Sequence, residues 1–456
     1  MNFFCVYRSM TVYQKVWLYK IQHALPVVVV LADIIPLYFF PKAITLPALA
    51  ALTAALFCLN QKKMHIHQLP VFLLWGALAA CVIALRYEPE PGLLPRSLSK
   101  VTALEGTLAA DARRTARGSY IYQLKLEKVH MQNIEQTMRR TVTVFANGGK
   151  GFWGDSVRFD NVRLGKDGQS FSAKKMVSFG SRNWFYALRR STVRSFTDKI
   201  QLVYGQKSLL AEALLTGSRD NLDPGLKDQF RQAGVSHVLA LSGMHLGIIA
   251  LFVFFIVRRF TGPRLSIIAV NVVNVLYLLM AGISPSLLRA VIMFFLVSLG
   301  KLMGAKVNLM RVLVFAFSLT LMMFPEYFFS LSFQLSFLAL AGILLFTTPI
   351  ADSLERVMPV FLATGMACSL AAVIMTAPVT FYNFGVVYPA GILSSMVISP
   401  VVTLYMCLGL ACVLVPAQLL MAIGLLQQPL FTLFFYLIEL IVRWASFVPG
   451  IALPVP

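Results

Sequence analysis

Long apolar windows alternate with short polar turns along most of this chain. Each window is near the length at which an α-helix crosses the hydrocarbon core of a bilayer, about 20 residues. The pattern predicts about eleven spans, at residues 24–40, 43–59, 69–85, 237–257, 265–282, 286–300, 311–325, 328–348, 357–380, 390–415 and 428–448. Asp33 and Pro36 weaken the first span, and residues 383–427 could instead hold a re-entrant segment. We therefore expect a polytopic α-helical membrane protein.

The period changes to two between residues 100 and 180. Tyr122, Leu124 and Leu126 alternate with polar neighbours, as the residues of a half-buried strand do. The alternation predicts five strands, at residues 101–109, 119–129, 141–146, 156–164 and 170–177. Turn residues such as Gly154-Asp155 separate them. Several short strands in one such stretch are typical of a small β-barrel, for example an OB-fold.

A helical period returns after the strands. Between residues 183 and 203, Trp184, Leu188 and Phe196 can share one face while most of the basic residues lie elsewhere. A basic amphipathic helix of this kind is typical of a helix that lies in the membrane interface. The sequence predicts two short helices next, at residues 207–215 and 224–233.

These periods divide the chain into four parts. They are N-terminal transmembrane helices at 1–85, an extracytoplasmic OB-like β domain at 86–182, amphipathic interfacial helices at 183–236 and a transmembrane bundle at 237–456. Composition agrees with a membrane protein, because 58% of the 456 residues are hydrophobic and the mean hydropathy is +0.74.

The charge pattern predicts the orientation of the chain. The 40 Lys+Arg and 19 Asp+Glu give a formal net charge of +21, and the basic residues of the short loops concentrate in loops of one parity. These residues are Arg8, Lys15, Lys20, Lys62, Lys63, Arg258, Arg259, Arg264, Lys301, Lys306 and Arg311. The intervening short loops hold almost none. By the positive-inside rule the N-terminus is cytoplasmic and residues 86–236 lie outside.

The extracytoplasmic segment is itself basic. Residues 86–205 hold 21 Lys+Arg and 10 Asp+Glu, a surplus of eleven. Long domains are exempt from the positive-inside rule, so the surplus needs another cause. It fits either a domain that rests on anionic lipid headgroups or a surface that collects phosphates. None of the six cysteines lies in this segment, so we expect no disulfide framework there.

Polar residues cluster where the fourth predicted span begins. Ser236, His237, Ser242, Gly243 and His245 run directly into an apolar stretch. On one continuous helix the two histidines would lie about 12 Å apart along the axis, too far to share a metal. Ser242 and His245 are within side-chain reach, which leaves a Ser/His hydrolase open although the sequence offers no nearby acid. Polar packing between helices and the lining of a hydrated path are the other interpretations.

Two further polar side chains lie inside predicted spans. Arg289 lies about one turn from the outer end of its span, so it could snorkel to the headgroups, or face inward to meet phosphate or Glu326. Gln334 lies among three serines, and a single amide in a span usually bonds a neighbouring helix. We group both residues with the polar cluster as candidate lining residues.

Missing motifs narrow the function. The sequence contains no G-x-x-x-x-G-K-[ST] motif, so we expect no nucleotide hydrolysis by a P-loop. The histidines of the polar cluster have no carboxylate at the spacing of a zinc site. We therefore expect neither a cofactor nor a resident metal, and a protein that is not an enzyme.

Three stretches resemble the ComEC competence-protein family. The longest, at residues 217–247, contains the polar cluster. The others are Ser-Pro-Ser-Leu-Leu-Arg-Ala at 284–290 and Ser-Leu-Ser-Phe-Gln-Leu-Ser-Phe at 330–337. The resemblance spans nearly the whole chain and has the same order of N-terminal spans, OB-like domain, amphipathic helix and helical competence domain. Family members commonly carry Asn-Leu where Ser395-Met396 stands, so we assign no role to that position.

The resemblance implies a channel in the bacterial inner membrane that passes single-stranded DNA into the cytoplasm during natural transformation. It makes the bundle a channel, with Ser236, His237, Ser242, Gly243, His245, Arg289 and Gln334 along the DNA path. The implied partners are single-stranded DNA, membrane lipid, a DNA receptor protein outside and a separate cytoplasmic motor or strand-binding protein. Many members also end in a metallo-β-lactamase-like domain. Because this chain stops at Pro456, we expect no nuclease activity, which leaves room for a separate nuclease.

The outer domain would then receive the strand by phosphate contacts and base stacking. The residues that we expect to contact DNA there are Arg113, Arg114, Arg117, Arg139, Arg140 and Trp153. Two rival functions remain: a transporter of small solutes or lipid-linked substrates, and an intramembrane Ser/His hydrolase. A closed pocket in the middle of the bundle would favour the transporter, and an acid behind His245 would favour the hydrolase.

Overall fold

A β-barrel, a set of connecting helices and a helical bundle follow one another along the chain. The computed structural model describes residues 101–115, 118–131, 134–137, 141–149, 151–165, 170–180 and 183–452. The predicted spans at 24–40, 43–59 and 69–85 lie outside the described residues, as do Arg117, Arg139 and Arg140.

Seven strands form the barrel domain. They are β1 (Val101–Leu108), β2 (Arg113–Arg114), β3 (Tyr120–Met131), β4 (Ile134–Thr137), β5 (Thr141–Ala146), β6 (Ser156–Leu164) and β7 (Ser170–Gly180). β1 pairs antiparallel with both β3 and β6, β6 pairs antiparallel with β7, and β5 pairs antiparallel with β3 and parallel with β7. These five strands close a ring, which confirms the predicted small barrel and its OB-like order. β2 and β4 pair with β3 outside the ring.

The alternating residues fill the barrel. Tyr122, Leu124 and Leu126 of β3 are at most 1% exposed and meet Phe159 and Phe171 from the opposite strands. Their polar neighbours on β3 face outward, which is why the period of two was visible in the sequence. The five predicted strands match the observed ones to within three residues at each end.

Three helices connect the barrel to the bundle: α1 (Trp184–Tyr204), α2 (Ser208–Thr216) and α3 (Pro224–Gln232). The Asn183 side chain caps α1 by accepting from the amide of Phe185 at 3.0 Å, and Gly205 ends the helix with a φ of 62°. Asp223 caps α3 in the same way. The polar face of α1 and its exposed Trp184 and Leu188 agree with the expected amphipathic helix.

The bundle begins with a short helix, α4 (Ser236–Leu239), and continues with eight longer ones. They are α5 (Gly243–Phe260), α6 (Pro263–Ala281), α7 (Pro285–Leu302), α8 (Leu309–Met323), α9 (Leu331–Leu354), α10 (Val360–Phe384), α11 (Ala390–Val413) and α12 (Ala417–Ser446). Two short strands, β8 (Val386–Val387) and β9 (Ile451–Ala452), pair beside them.

Seven helices in the described part of the chain are long and apolar enough to cross a membrane. These are α5, α6, α7, α9, α10, α11 and the segment Gln427–Ser446 of α12, while α8 is a shorter apolar helix of 15 residues. The chain is therefore a multi-pass membrane protein with an inserted barrel. Within residues 383–427 the structure shows α11 as one uninterrupted helix of 24 residues, long and apolar enough to cross a membrane.

One predicted element is wrong. The fourth span was expected as a continuous helix from residue 237, but the helix is broken: α4 ends at Leu239, Ala240 is extended, and α5 starts only at Gly243. His237 and His245 therefore lie on two different helices, and the helical rise of 12 Å between them does not apply. The break brings the residues of the polar cluster together in a way that a single helix could not.

Candidate functional site

The break before α5 is organised by Ser242 and His245. The Ser242 Oγ lies 3.0 Å from His245 Nδ1 and accepts from the Met244 amide at 3.3 Å. The backbone N–H of Ser242 donates back to His245 Nδ1 at 3.3 Å. This reciprocal pattern is a capping box with histidine in the place of the usual Glu or Gln. Because a backbone N–H can only donate, Nδ1 accepts and the proton of the neutral ring is on Nε2.

His245 then presents an unused donor to the interior. The residue is 0% exposed, and its Nε2 has no hydrogen-bond partner among the described residues. Arg219, from the loop between α2 and α3, and His237 lie close enough to act on this ring electrostatically. A buried donor without an acceptor costs about 1–3 kcal/mol. The Nε2–H is therefore a donor that an acceptor can use.

His237 lies on α4 with an exposed side chain. Burial within the surrounding protein nevertheless lowers the pKa of its imidazole, against a backbone hydrogen bond with Gly234 that raises it. Ser236, next to it, is also exposed.

Arg289 of α7 reaches this cluster from the other side. It is 9% exposed, and its Nη1 donates to the carbonyl of Ser336 on α9. Its Cζ lies 5.8 Å from the ring centre of Phe337, and a Cβ built on Gly243 would lie 3.4 Å from its Nη2. The guanidinium is thus buried between α5 and α9. Among the described residues no carboxylate, Glu326 included, pairs with it, and its Nε has no partner.

Hydrogen bonds and close packing fix the break against its neighbours. Ser286 Oγ, at the start of α7, donates to the carbonyl of Leu241 at 2.8 Å. Leu241 in turn contacts Gly217, where a Cβ would lie 2.6 Å from the Leu241 side chain. Gly217 ends α2 with a φ of 78°. The loops after α2 and before α5 are therefore packed together at the start of α7.

The Gln334 side chain donates a hydrogen bond to a residue close to it in the chain. Its Nε2 donates at 2.9 Å to the carbonyl of Phe328, in the turn before α9. Its position in a span groups Gln334 with the candidate lining residues. It lies three residues before Phe337, whose ring Arg289 contacts. Its role along a path stays a prediction.

A second arginine holds the barrel to the bundle. Arg189 of α1 donates from Nη1 and Nη2 to the Asp111 carboxylate at 2.9 and 2.7 Å. It also donates to the carbonyls of Leu279 and Met280, at the end of α6, at 2.8 and 3.0 Å. We refer to Arg189, Asp111 and these two carbonyls as the joint. No local pattern indicates the joint, because Asp111 is 78 residues from Arg189 and amphipathic patterning places arginines outward.

The structure describes three of the outer-domain residues that we expect to contact DNA. Trp153 lies against the joint: its amide donates to Asp111 at 2.7 Å and its ring faces Arg189 at 5.6 Å. Arg114 is exposed, and its backbone N–H donates to Asp220 at 3.1 Å. Arg113 precedes it in β2. DNA contact by these residues stays a prediction.

Comparison with known proteins places the bundle in a family. A family model described as Competence protein matches residues 214–456. ComE operon protein 3 of Bacillus subtilis (strain 168) is 27% identical over 197 residues, which is 43% of this chain and 24% of that protein. An uncharacterized protein of Aquifex aeolicus (strain VF5) is 30% identical over 192 residues, 42% of this chain and 44% of that protein. The chain thus spans less than half the length of either relative, and no solved structure matches it.

Proposed function

The chain belongs to the competence protein family, and from this premise we propose that it is an inner-membrane channel that passes single-stranded DNA into the cytoplasm during natural transformation. The observation that carries the proposal is Arg289, a buried cation without a carboxylate partner among the described residues. A buried charge without a counter-ion is costly. A phosphate of the passing strand supplies the missing counter-charge.

A strand of DNA needs a protein-lined, hydrated path. Each nucleotide carries one negative charge, and a bare ion in hydrocarbon costs on the order of 20 kcal/mol on an idealised estimate. Donors placed along such a path replace water at the phosphates. The break before α5 offers such donors in the Arg289 guanidinium and the His245 Nε2–H.

Among the described residues, the neighbours of Arg289 supply no competing negative charge. Its contacts are the backbone carbonyl of Ser336, the ring of Phe337 and Gly243, on which a Cβ would lie 3.4 Å from Nη2. Arg219 and His237 add further donors near His245. A cluster made of donors favours an anion over a cation or an uncharged solute.

The barrel would receive the strand on the outer side. Residues 86–205 carry the surplus of eleven basic charges, which attracts phosphate in a way that weakens with salt. The partners of this step would be a DNA receptor protein outside and a cytoplasmic motor or strand-binding protein inside. A separate nuclease would supply single strands.

Uptake of labelled DNA tests the function directly. Cells that lack this gene should retain labelled DNA outside the cytoplasmic membrane, and the restored gene should return single-stranded label to the cytoplasm. Normal cytoplasmic uptake without the gene would overturn the proposal. Binding of DNA to the cell surface serves as the control, because a channel acts after that step.

The orientation is tested by cysteine labelling on a cysteine-free background. Loop charges predict that Lys62 and Arg259 face the cytoplasm and that Lys128 and Asn221 face outward. A membrane-impermeant reagent should label cysteines at positions 128 and 221 and spare those at 62 and 259. The opposite pattern would place the barrel in the cytoplasm and remove its receiving role.

One observation favours a second function, an intramembrane hydrolase. Ser242 Oγ and His245 Nδ1 lie 3.0 Å apart, within the reach of a nucleophile and its base. However, the same Nδ1 accepts the backbone N–H of Ser242, and no carboxylate orients Nε2 among the described residues. Labelling of Ser242 by a fluorophosphonate would support this alternative.

A further inference from the structure

An open cavity of about 270 Å³ lies between the barrel and α1, away from the polar cluster. Its lining includes Phe152 from the loop between β5 and β6, Arg190, Arg194 and Asp198 from α1, and Glu212 from α2. The cavity thus combines an aromatic ring, two guanidinium groups and two carboxylates.

The cavity lies at the boundary between the barrel and the helices that lead to the bundle. Phe152 belongs to the barrel, and Glu212 belongs to α2, whose end leads into the loop that carries Arg219. If the barrel receives the strand first, as proposed, this boundary is a contact point open to the strand.

Phe152 and Arg190 are in contact at one wall of the cavity. The Arg190 Cζ lies 4.6 Å from the ring centre of Phe152, and its Nη1 lies 3.8 Å from the buried carboxylate of Asp155. These two contacts hold the guanidinium over the ring. Nucleobases stack on guanidinium planes as they do on aromatic rings.

The charged groups of α1 complete a donor and acceptor set. Arg194 and Asp198 are exposed, one turn apart on the same helix. A guanidinium binds phosphate, and a carboxylate accepts from the exocyclic amino group of cytosine. Thymine has a carbonyl in the same place and offers no such donor.

A lipid headgroup fits the cavity less well than a nucleotide does. The exposed apolar residues of α1 are Trp184 and Leu188. At 100° per residue, Arg190, Arg194 and Asp198 lie on average about 100° around the helix from them. The wall opposite is the barrel loop with Phe152. If Trp184 and Leu188 face lipid, the cavity faces the barrel.

We propose that this cavity binds one nucleotide of the incoming strand and favours cytosine over thymine. Arg194 takes the phosphate, the base stacks on Arg190 and Phe152, and Asp198 accepts the amino group of the base. The inference rests on the proposed passage of single-stranded DNA, but it concerns a site apart from Arg289. It gives the path a second contact point that handles bases rather than phosphates alone.

Binding of two matched oligonucleotides to the whole protein tests the site. The protein in phosphatidylcholine nanodiscs is titrated with labelled oligodeoxycytidine and oligodeoxythymidine of about eight nucleotides, the scale of one small binding site. We expect roughly fivefold tighter binding of oligodeoxycytidine, the low end of the effect of a base-edge hydrogen bond. Asp198→Ala should abolish the preference, and Arg194→Gln should weaken both oligonucleotides alike.

Matched controls come from exposed charges outside the cavity. Asp228→Ala on α3 removes an exposed carboxylate, and Lys199→Gln removes a basic residue from another face of α1. Both variants should keep the fivefold preference. Each changed side chain is exposed, so we expect all four variants to fold. Thermal unfolding of each variant checks this.

The outcomes separate the inference from the proposed function. Equal binding of the two oligonucleotides, or an unchanged preference in Asp198→Ala, overturns the inference and leaves the channel standing if cytoplasmic uptake is normal. Competition by glycerophosphoethanolamine but not by deoxycytidine monophosphate would make the cavity a lipid headgroup site and also overturns it. A failure of the proposed channel function would appear separately, as normal cytoplasmic uptake of DNA in cells that lack the gene.

Discussion

Two buried arginines in this protein are held in opposite ways. Arg189 in the joint and Arg289 at the break before α5 are 6% and 9% exposed. Arg189 makes four hydrogen bonds, two of them to a carboxylate. Arg289 has one carbonyl, one ring contact and an unpaired Nε. The difference teaches that burial alone does not assign a role: a saturated guanidinium is a structural fastener, and an unsaturated one has capacity for a ligand.

The largest effect, a loss of stability, should come from replacement of Arg189. Arg189→Leu leaves the Asp111 carboxylate and two helix-end carbonyls without their donor. Removal of one partner of a buried pair costs about 3–5 kcal/mol, and the partial exposure of Asp111 reduces this to about 2–3 kcal/mol. Thermal unfolding of the purified protein should show a clear fall in Tm, and protease should cut between barrel and bundle.

Arg190→Leu is the matched control for that change. Arg190 is the next residue and is exposed, and its contacts are a distant ion pair at 3.8 Å with Asp155 and the Phe152 ring at 4.6 Å. Its removal should lower stability by less than about 1 kcal/mol. An equal loss of Tm in the two variants would show that the joint has no special role.

Replacement of Arg289 should lower DNA uptake and leave stability nearly unchanged. Arg289→Leu removes a charge that no carboxylate balances among the described residues, so folding and membrane insertion should stay nearly intact. Uptake should fall by roughly tenfold to a hundredfold, the effect of one lost charge-assisted contact. Arg289→Lys should keep part of the uptake, because it keeps the positive charge.

Measured together, stability and uptake decide between two roles for Arg289. If Arg289→Leu unfolds the protein, the residue is a fastener like Arg189 and the comparison fails. If the Leu variant transforms at the wild-type level, Arg289 makes no contact with the strand. Western blotting of the membrane fraction supplies the control for expression.

The smallest effect is expected at Ser242. Ser242→Ala removes the acceptor of the Met244 amide but leaves the Ser242 backbone N–H bonded to His245. Loss of such a cap costs about 1 kcal/mol, and uptake should change by less than about threefold. An abolished function with an unchanged Tm would instead make Ser242 a nucleophile and favour the hydrolase.

The sequence predicted the barrel better than the site, for a physical reason. Alternation of Tyr122, Leu124 and Leu126 is a local signal, since each strand must bury every second residue. The pairing of Arg189 with Asp111 depends on how the finished barrel lies against α1 and α6, and no local pattern encodes that. No local pattern indicates the role of Arg219 either, since it lies in a polar loop between α2 and α3.

The break before α5 was missed because the apolar run hides it. Val238, Leu239 and Leu241 look like the start of a span, and only Ser242-Gly243 marks a new helix start. The capping box was hard to recognise because His245 takes the position that Glu or Gln usually occupies.

The joint also determines how the protein would carry mechanical load. In the proposed function, a strand that is pulled inward while the barrel still holds it would exert tension on the barrel. Part of that tension would pass through the Arg189 side chain into the end of α6, where two successive carbonyls accept its hydrogen bonds. Because the planar guanidinium grips Asp111 and α6 at once, the barrel resists shear against the bundle at this point without a covalent crosslink.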